Sequence, residues 1–313
     1  GLGDVYKRQI FDFIMPGYLS KFDKFSSKYK VHEFDDKTNE LLDNLRKQIS
    51  PFILRRKKND VIKELPPKIE NNIFIDLSDE QKKIYVAELD KVKSSIDEAM
   101  KDGGMSKVRF MILPLLTKLR QICIDPRIVY TDYDGGSNKI ERFLSIVEEL
   151  VNNNHKILVF TSFRTALNIV KVELESTNIK CYTMDGSVSS KERMERVNSF
   201  NNSDDVKVFL IMLKSGGTGL NLASSDIVIH LDLWWNPQAE NQATDRAHRI
   251  GQTNTVEVIR LVSKGTIEEK VLDLQEKKKE LSEKLIDAES LDQNLIGELT
   301  EKDIKELLAY ENK

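Results

Sequence analysis

The chain of 313 residues has few cysteines, few histidines and no long apolar run, and each shortage excludes a class of protein. Cys123 and Cys181 lie far apart in apolar surroundings, and no Cys-x-x-Cys occurs, so we expect buried free thiols rather than a disulfide or a zinc site. The histidines lack metal-ligand spacing, so no metal site is expected. No apolar run approaches the roughly 18 residues of a membrane span, and no signal peptide opens the chain. We therefore expect a reducing, cytoplasmic location and no membrane partner.

A large net charge is also absent, because 48 basic residues face 51 acidic ones for a formal charge of −3. This balance argues against a histone-like polycation. It leaves nucleic acid open as a partner, since one basic face can follow phosphates while the remainder is acidic. The length predicts more than one average domain, and 40% hydrophobic residues suffice for buried cores.

From Lys139 onward, short apolar strands alternate with helices of about 12 residues. This alternation predicts an α/β fold, a parallel sheet with helices on both faces. Functional residues collect at the carboxyl ends of the strands in such sheets. The predicted strands are 156–161, 180–183, 206–213, 226–231 and 256–261, and the predicted helices are 139–152, 164–176, 189–200, 237–250 and a long one from Thr266.

The region before residue 139 is predicted to be mainly helical. The chain begins Gly-Leu-Gly without a methionine, which indicates an interior segment of a longer protein. A strand-like core lies at 69–77, and Asp102-Gly-Gly104 is expected to break a long helix. The resulting divisions are an anomalous leader (1–9), a segment ending in that strand (10–77), a helical connector and linker (78–138), the α/β lobe (139–265), and a C-terminal helix with its tail (266–313).

Two of the strand ends carry short polar turns. Thr161, Ser162 and Arg164 follow the first strand, and hydroxyls with free amides at a helix start suit a phosphate, although Thr and Ser are also routine N-caps. Gly186 and Ser187 follow the second strand, where a plain strand-to-helix turn is an adequate explanation.

The third strand ends in a glycine-rich loop, Lys214-Ser-Gly-Gly-Thr-Gly-Leu-Asn221. Three glycines allow backbone N–H groups to approach an anion closely, and Lys214 adds positive charge. No Gly-Lys pair occurs anywhere in the chain, so this is not a Walker A loop. The loop predicts phosphate contact of another kind.

The fourth strand leads through Asp232-Leu-Trp-Trp-Asn-Pro237 into the stretch Gln242-Ala-Thr-Asp-Arg-Ala-His-Arg-Ile-Gly-Gln252. A core role is favoured over base stacking for both tryptophans. On a helix, Gln242, Arg246 and Arg249 would share one face, and two parallel guanidiniums suit a polyphosphate. The alternative is an exposed helix with Asp245 and Arg249 paired at i, i+4.

Taken in this order, the four sites resemble the second, RecA-like motor lobe of the Swi/Snf-type DNA-translocating ATPases, a branch of the superfamily-two helicases. The segments 157–164, 214–222 and 242–252 look like helicase motifs IV, V and VI. Leu119-Arg-Gln-Ile-Cys123 resembles the connector into that lobe, and the helix from Thr266 resembles the bracing helix. Residues 10–19 and 50–57 resemble the end of the first lobe.

The resemblance implies a role for each group of residues. Arg246 and Arg249 would reach the phosphates of ATP across a cleft between two lobes, at least one as an arginine finger, with Gln242 in support. Gly217, Gly219 and Asn221 would contact nucleotide as well. Duplex DNA would be gripped through its phosphates by Thr161, Ser162, Arg164, Gly186, Ser187, Lys214, Ser215, Gly216, Trp235 and Asn236.

The chain also departs from the pattern of this family. Its first lobe supplies a Gly-Lys-Thr loop and an Asp-Glu pair for magnesium, and neither is found here; Asp79-Glu80 and Asp97-Glu98 do not follow a buried strand. We therefore expect a motor truncated at its N-terminus, of bacterial or archaeal type, that needs its missing lobe to use ATP and Mg²⁺ and binds neither tightly alone. The alternatives are a stand-alone binding lobe and an RNA helicase lobe. The Asp232–Pro237 segment and the Ala-His-Arg-Ile-Gly-Gln run speak against the RNA helicase.

Overall fold

The computed structural model describes residues 11–19, 24–25, 44–45, 47–52, 65–215, 220–284, 304 and 307–309, with 277–284 described by their backbone alone. The chain divides into two compact units, Gly1–Lys63 with Leu274–Glu298 and Glu64–Asp273 with Leu299–Lys313. In the first unit, Phe52 packs edge-on against Phe11 and Tyr18, with ring centroids 6.4 and 5.3 Å apart. No helix among the described residues has both the length and the apolar character needed to cross a membrane.

The second unit contains a sheet whose six described strands are all parallel, as the alternating sequence pattern predicts. Their order across the sheet is β1-β6-β5-β2-β4-β3. The strands are β1 (Lys68–Ile75), β2 (Ile157–Thr161), β3 (Cys181–Met184), β4 (Val208–Met212), β5 (Ile227–His230) and β6 (Val256–Ser263).

Helices cover both faces of this sheet. Successive residues of a strand point to opposite sides, so a strand that is apolar throughout has two faces to bury. Ile157 and Val159 of β2 belong to one apolar core, and Leu158 and Phe160 belong to the other. The first core is closed by α2 (Asn138–Asn152) and α3 (Arg164–Ser176), and the second by α4 (Ser190–Asn202) and α5 (Pro237–Thr244). The RecA-like α/β architecture is therefore confirmed.

Strand β1 lies in the sheet of the second unit, although it comes before the predicted α/β lobe. The sequence places it at the end of segment 10–77, whereas the structure pairs it with β6 from Lys68↔Val256 to Ile75↔Ser263. A parallel partner far along the chain leaves no local pattern, so periodicity alone could not assign this strand to the sheet. The sheet thus begins before residue 77, and the connector leaves from a strand of the sheet.

The connector is the helix α1 (Asp79–Ile124), which bends at Gly104, where φ is 61° and ψ is −159°. The predicted break at Asp102-Gly-Gly104 is confirmed. The two halves are joined where Gln81 Nε2 donates to the carbonyl of Ile122 over 2.8 Å. Tyr85 accepts from the backbone N–H of Ile267, 2.8 Å away, at the start of α6 (Ile267–Lys284). Helix α1 therefore fixes where the final helix leaves the sheet.

Candidate functional site

Asp232, just beyond β5, links the loop after β2 to the loop after β5. Its Oδ1 accepts from the hydroxyl of Thr161 (2.7 Å) and from the backbone N–H of Ser162 (2.9 Å). Its side chain has no exposed surface. Thr161 is buried, and both of these predicted phosphate donors are engaged by a carboxylate that the sequence analysis did not select.

Arg120 of α1 is the partner of Asp232. One of its terminal nitrogens donates to Asp232 Oδ2 over 2.9 Å and also to the carbonyl of Leu233. The rings of Phe163, Trp234 and Trp235 surround the guanidinium, with centroids 5.2, 5.3 and 5.5 Å from its central carbon. Arg120 is 1% exposed. In the sequence it lies in the segment 119–123, which resembles the family's connector, but nothing there indicates its partner.

The two tryptophans take different positions. Trp235 is 7% exposed and belongs to the interior, as predicted. Trp234 is half-buried; its backbone N–H donates to Glu240 Oε1 over 2.6 Å, and the Nζ of Lys214 lies 5.9 Å from its ring centroid. Asn236 caps α5 by accepting from a backbone N–H two residues on, over 2.7 Å. Lys214 and the segment after β5 therefore lie side by side.

The loop after β3 joins the same group of loops. Arg164 Nε lies 3.0 Å from Asp185 Oδ2, and the Oδ1 of Asp185 accepts from the backbone N–H (2.9 Å) and hydroxyl (2.5 Å) of Ser187. These bonds from Ser187, followed by the charge of Arg164, lower the pKa of Asp185. A Cβ placed on Gly186 would lie 3.9 Å from Ser215 Oγ, so the loops after β3 and β4 are in contact.

The structure thus gathers most of the predicted DNA contacts at the carboxyl edge of the sheet. We call residues 161–164, 185–187, 214–215 and 232–236 the carboxyl-edge loops. Gly216, Gly217 and Gly219 lie outside the described residues. Asn221 lies at the opposite, amino edge, where its carbonyl accepts from Asn201 Nδ2 over 2.9 Å at the end of α4.

The predicted helix 237–250 is wrong in its second half, because α5 ends at Thr244. The N–H groups of Arg246 and Ala247 bond to carbonyls three residues back, over 3.1 and 3.0 Å. The carbonyl of Arg246 accepts from the backbone N–H of Leu222 (3.1 Å) rather than from the next turn of a helix. Gly251 has a φ of 101°. Gln242, Arg246 and Arg249 therefore do not share one helix face.

We call residues 245–252 the arginine turn, and it lies at the amino edge of the sheet. His248 Nε2 lies 2.9 Å from the carbonyl of Pro66, just before β1, and Gln252 Nε2 donates to the carbonyl of Ser225 over 2.7 Å, just before β5. Ala247 is buried beneath the turn, whereas Ile250 is 70% exposed. The side chains of His248 and Gln252 therefore hold the turn against the segments that lead into β1 and β5.

The three side chains predicted to act on nucleotide in this region differ in exposure. Gln242 and Arg249 are exposed, and Arg246 is half-buried. Burial is the main cause that lowers the pKa of Arg246, and the charge of Arg249 lowers it further. Two guanidiniums that disfavour each other's charge form a site that a bound anion would stabilise.

The chemistry of these groups fits phosphate oxygens rather than a metal ion. Within the part of the chain that the structure describes, no group of three or more His, Cys, Asp or Glu side chains could hold a metal. Mg²⁺ prefers carboxylate and phosphate oxygens. The arginine turn has one carboxylate, Asp245, beside the two guanidiniums.

Two families of known proteins match this chain. The family described as the helicase conserved C-terminal domain matches residues 138–251, and the SNF2-related domain matches residues 2–128. The chain is 40% identical to an uncharacterized ATP-dependent helicase of Mycoplasma genitalium over 88% of its own length and 26% of the relative's. The chain thus spans about a quarter to a third of the first curated relatives that it matches.

Two solved structures from Sulfolobus solfataricus are also similar. The C-terminal domain of a SWI2/SNF2 ATPase is 31% identical with a TM-score of 0.63, and the match covers 78% of this chain and 99% of that domain. The SWI2/SNF2 ATPase core in complex with double-stranded DNA is 32% identical with a TM-score of 0.65, covering 96% of this chain and 63% of that one.

Proposed function

We propose that this chain, which belongs to the SWI2/SNF2 family of ATPases, supplies the second motor lobe of an ATP-dependent translocase on double-stranded DNA. One observation carries the proposal: those predicted DNA-binding and nucleotide-binding groups that the structure describes lie at opposite edges of one sheet. A motor lobe needs such a division, because it must contact DNA and nucleotide at the same time.

The carboxyl-edge loops are proposed to grip the phosphate backbone of duplex DNA. Arg164 and Lys214 bring positive charge to this edge, and Ser187 adds a hydroxyl and an N–H group. The Arg164–Asp185 pair is exposed on the arginine side at 67%, and exposed pairs contribute little, so a phosphate can replace the carboxylate. The related Sulfolobus core in complex with double-stranded DNA supports this assignment. Backbone contacts predict little sequence preference and binding that falls steeply with salt.

The arginine turn is proposed to meet the phosphates of ATP held by a first motor lobe. Arg246 and Arg249 would stabilise the negative charge that spreads over the transferred phosphoryl group, with Gln242 in support. Gly217, Gly219 and Asn221 are retained as proposed nucleotide contacts of the neighbouring loop. Mg²⁺ arrives with ATP as part of the substrate, and the first lobe would hold it.

This division of labour implies that the chain alone does not hydrolyse ATP. No Gly-Lys pair occurs in the 313 residues, so a phosphate loop must come from another lobe. The test is ATP hydrolysis by a two-lobe motor containing this chain, measured with duplex DNA, single-stranded DNA and RNA. Duplex DNA is expected to stimulate hydrolysis most. Stimulation by RNA alone would contradict the proposal in favour of an RNA helicase lobe.

A further inference from the structure

We infer that Arg120 is a positioning residue for DNA binding, which holds the loops after β2 and β5 in one fixed arrangement through Asp232. This inference rests on the proposed function of the carboxyl-edge loops. Arg120 cannot touch DNA itself, because it is 1% exposed and enclosed by three aromatic rings. Its effect must pass through the groups that it holds.

Arg120 holds the loop after β2 through Asp232. The Oδ2 of Asp232 faces Arg120, while its Oδ1 accepts from Thr161 and from the N–H of Ser162. One carboxylate therefore fixes the start of the loop that leads to Arg164, whose exposed side chain is the proposed phosphate contact. The orientation of Asp232 depends on the guanidinium of Arg120, since the carboxylate is buried and Arg120 is its cationic partner.

Arg120 also holds the loop after β5, because it donates to the carbonyl of Leu233. That carbonyl precedes Trp234, whose ring packs on the guanidinium and lies 5.9 Å from the Nζ of Lys214. A lysine could replace the charge of Arg120 but not the flat surface on which the rings pack. Arg120 thus connects the helix α1 to both loops.

A stabilising role alone would not require a charged pair at this place. Replacing a buried ion pair by neutral groups of similar volume is often neutral or favourable for stability, whereas removing one partner is strongly destabilising. A variant that neutralises both partners therefore separates folding from positioning. Arg120→Met with Asp232→Asn does so, because the amide oxygen can still accept from Thr161.

The experiment compares the full chain with Arg120→Met, Asp232→Asn and the double variant. Binding to a fluorescent duplex is titrated at several salt concentrations, and urea unfolding is recorded for each protein. Arg127→Met is the matched control, since that arginine also pairs with a buried carboxylate, Asp125, and its hydrogen bonds among the described residues go to Asp125 and Glu173. The chain's two tryptophans both contact Arg120, so intrinsic fluorescence reports directly on this cluster.

The double variant is expected to unfold near the wild-type urea midpoint and yet bind the duplex about tenfold more weakly, with a salt slope smaller by about one. Its tryptophan emission is expected to shift, whereas the control keeps the wild-type emission, affinity and slope. Wild-type affinity in the double variant would overturn the inference. If the double variant does not fold, Arg120→Lys decides: a folded protein with wild-type affinity and salt slope overturns the inference. A wild-type chain that does not bind duplex DNA would instead refute the proposed function.

Discussion

Arg120, which holds the carboxyl-edge loops from α1, and the arginines of the arginine turn lie in opposite environments. At the carboxyl edge, Arg120 is 1% exposed and its charge is matched by Asp232 inside the protein. In the arginine turn, Ala247 is buried, whereas Arg249 is exposed to solvent near the guanidinium of Arg246. We propose that the buried, matched arginine fixes the shape of the DNA site, whereas the arginines of the turn present charge to ATP.

The largest expected effect lies in the arginine turn and concerns catalysis. In a two-lobe motor, Arg249→Ala should slow ATP hydrolysis by about 10³- to 10⁵-fold, because an arginine finger acts on transition-state charge. The same change should alter the free energy of unfolding of the chain by less than about 0.5 kcal/mol, since the side chain is exposed.

Steady-state hydrolysis and urea unfolding measure these two quantities. Arg142→Ala on α2 is the control, because Arg142 is also an exposed arginine and should affect neither. A rate loss below about tenfold for Arg249→Ala would remove it from the catalytic role and leave Arg246 as the finger.

The next largest effect lies at the carboxyl edge and concerns stability. Lys139 and Glu268 form a buried ion pair with side chains 1% and 0% exposed, and Lys139 also donates to the carbonyl of Leu261 over 3.1 Å. Lys139→Met should lower the free energy of unfolding by about 3–5 kcal/mol, because it leaves Glu268 buried without its cation.

Urea unfolding of Lys139→Met and of the double variant Lys139→Met/Glu268→Gln measures this effect. The double variant should recover most of the loss, since neither buried charge remains. If the single variant is as stable as the wild type, charge matching is not what holds the carboxyl edge, and the contrast with the arginine turn disappears.

A smaller, pH-dependent effect links the two regions through His230, which ends β5 and lies 3.3 Å from the hydroxyl of Thr244, the last residue of α5. Burial, and then the charge of Arg260, lower the pKa of His230 from 6.5 to about 3. The unfolded chain therefore binds the proton more readily. The stability that this histidine contributes is complete above pH 6.5 and is lost as the pH falls toward 3, at about 1.4 kcal/mol per pH unit.

Urea unfolding at pH 7 and pH 5 tests this expectation. The wild type should lose about 2 kcal/mol more than His230→Gln over this interval, because only the wild type must keep this buried ring neutral. Equal losses in the two proteins would mean that His230 titrates normally and that the end of α5 is not held by a neutral imidazole.

The smallest effect concerns the backbone of the arginine turn. Gly251 has a φ of 101°, and a Cβ there would meet nothing within 4 Å, so Gly251→Ala should cost about 1 kcal/mol through backbone conformation alone. Gly186→Ala is the control, because an added Cβ there makes only an ordinary contact. Equal unfolding midpoints for the two variants would show that the turn does not depend on Gly251.

The elements of the lobe were predictable where local signals agree. Helix α3 runs from Arg164 to Ser176, as the sequence predicts, because a buried strand precedes it and an apolar stripe of Ala166, Leu167, Val170 and Leu174 continues to its last turn. The end of α5 was not predictable, since Leu222 takes the carbonyl of Arg246 by a contact from another part of the chain. Helical periodicity continued in the sequence beyond the point where tertiary hydrogen bonds end the helix.

The candidate site shows the same limit. The carboxyl-edge loops could be found because each follows a predicted strand, and strand ends of a parallel sheet meet at one edge. Arg120 and Asp232 are 112 residues apart, and although each lies in a segment that resembles the family, neither segment indicates that the two side chains pair. An arginine in an apolar stretch of helix is the signal that could have selected Arg120, because charged residues are almost never buried without a partner.

The division of the ATP site between two lobes is tested by ATP hydrolysis of the chain alone, measured with and without duplex DNA. We expect the chain to bind the duplex without hydrolysis, because the arginine turn has no phosphate loop in these 313 residues to act on. Hydrolysis by the purified chain that Arg249→Ala abolishes would contradict it, since the chain would then contain a complete ATP site.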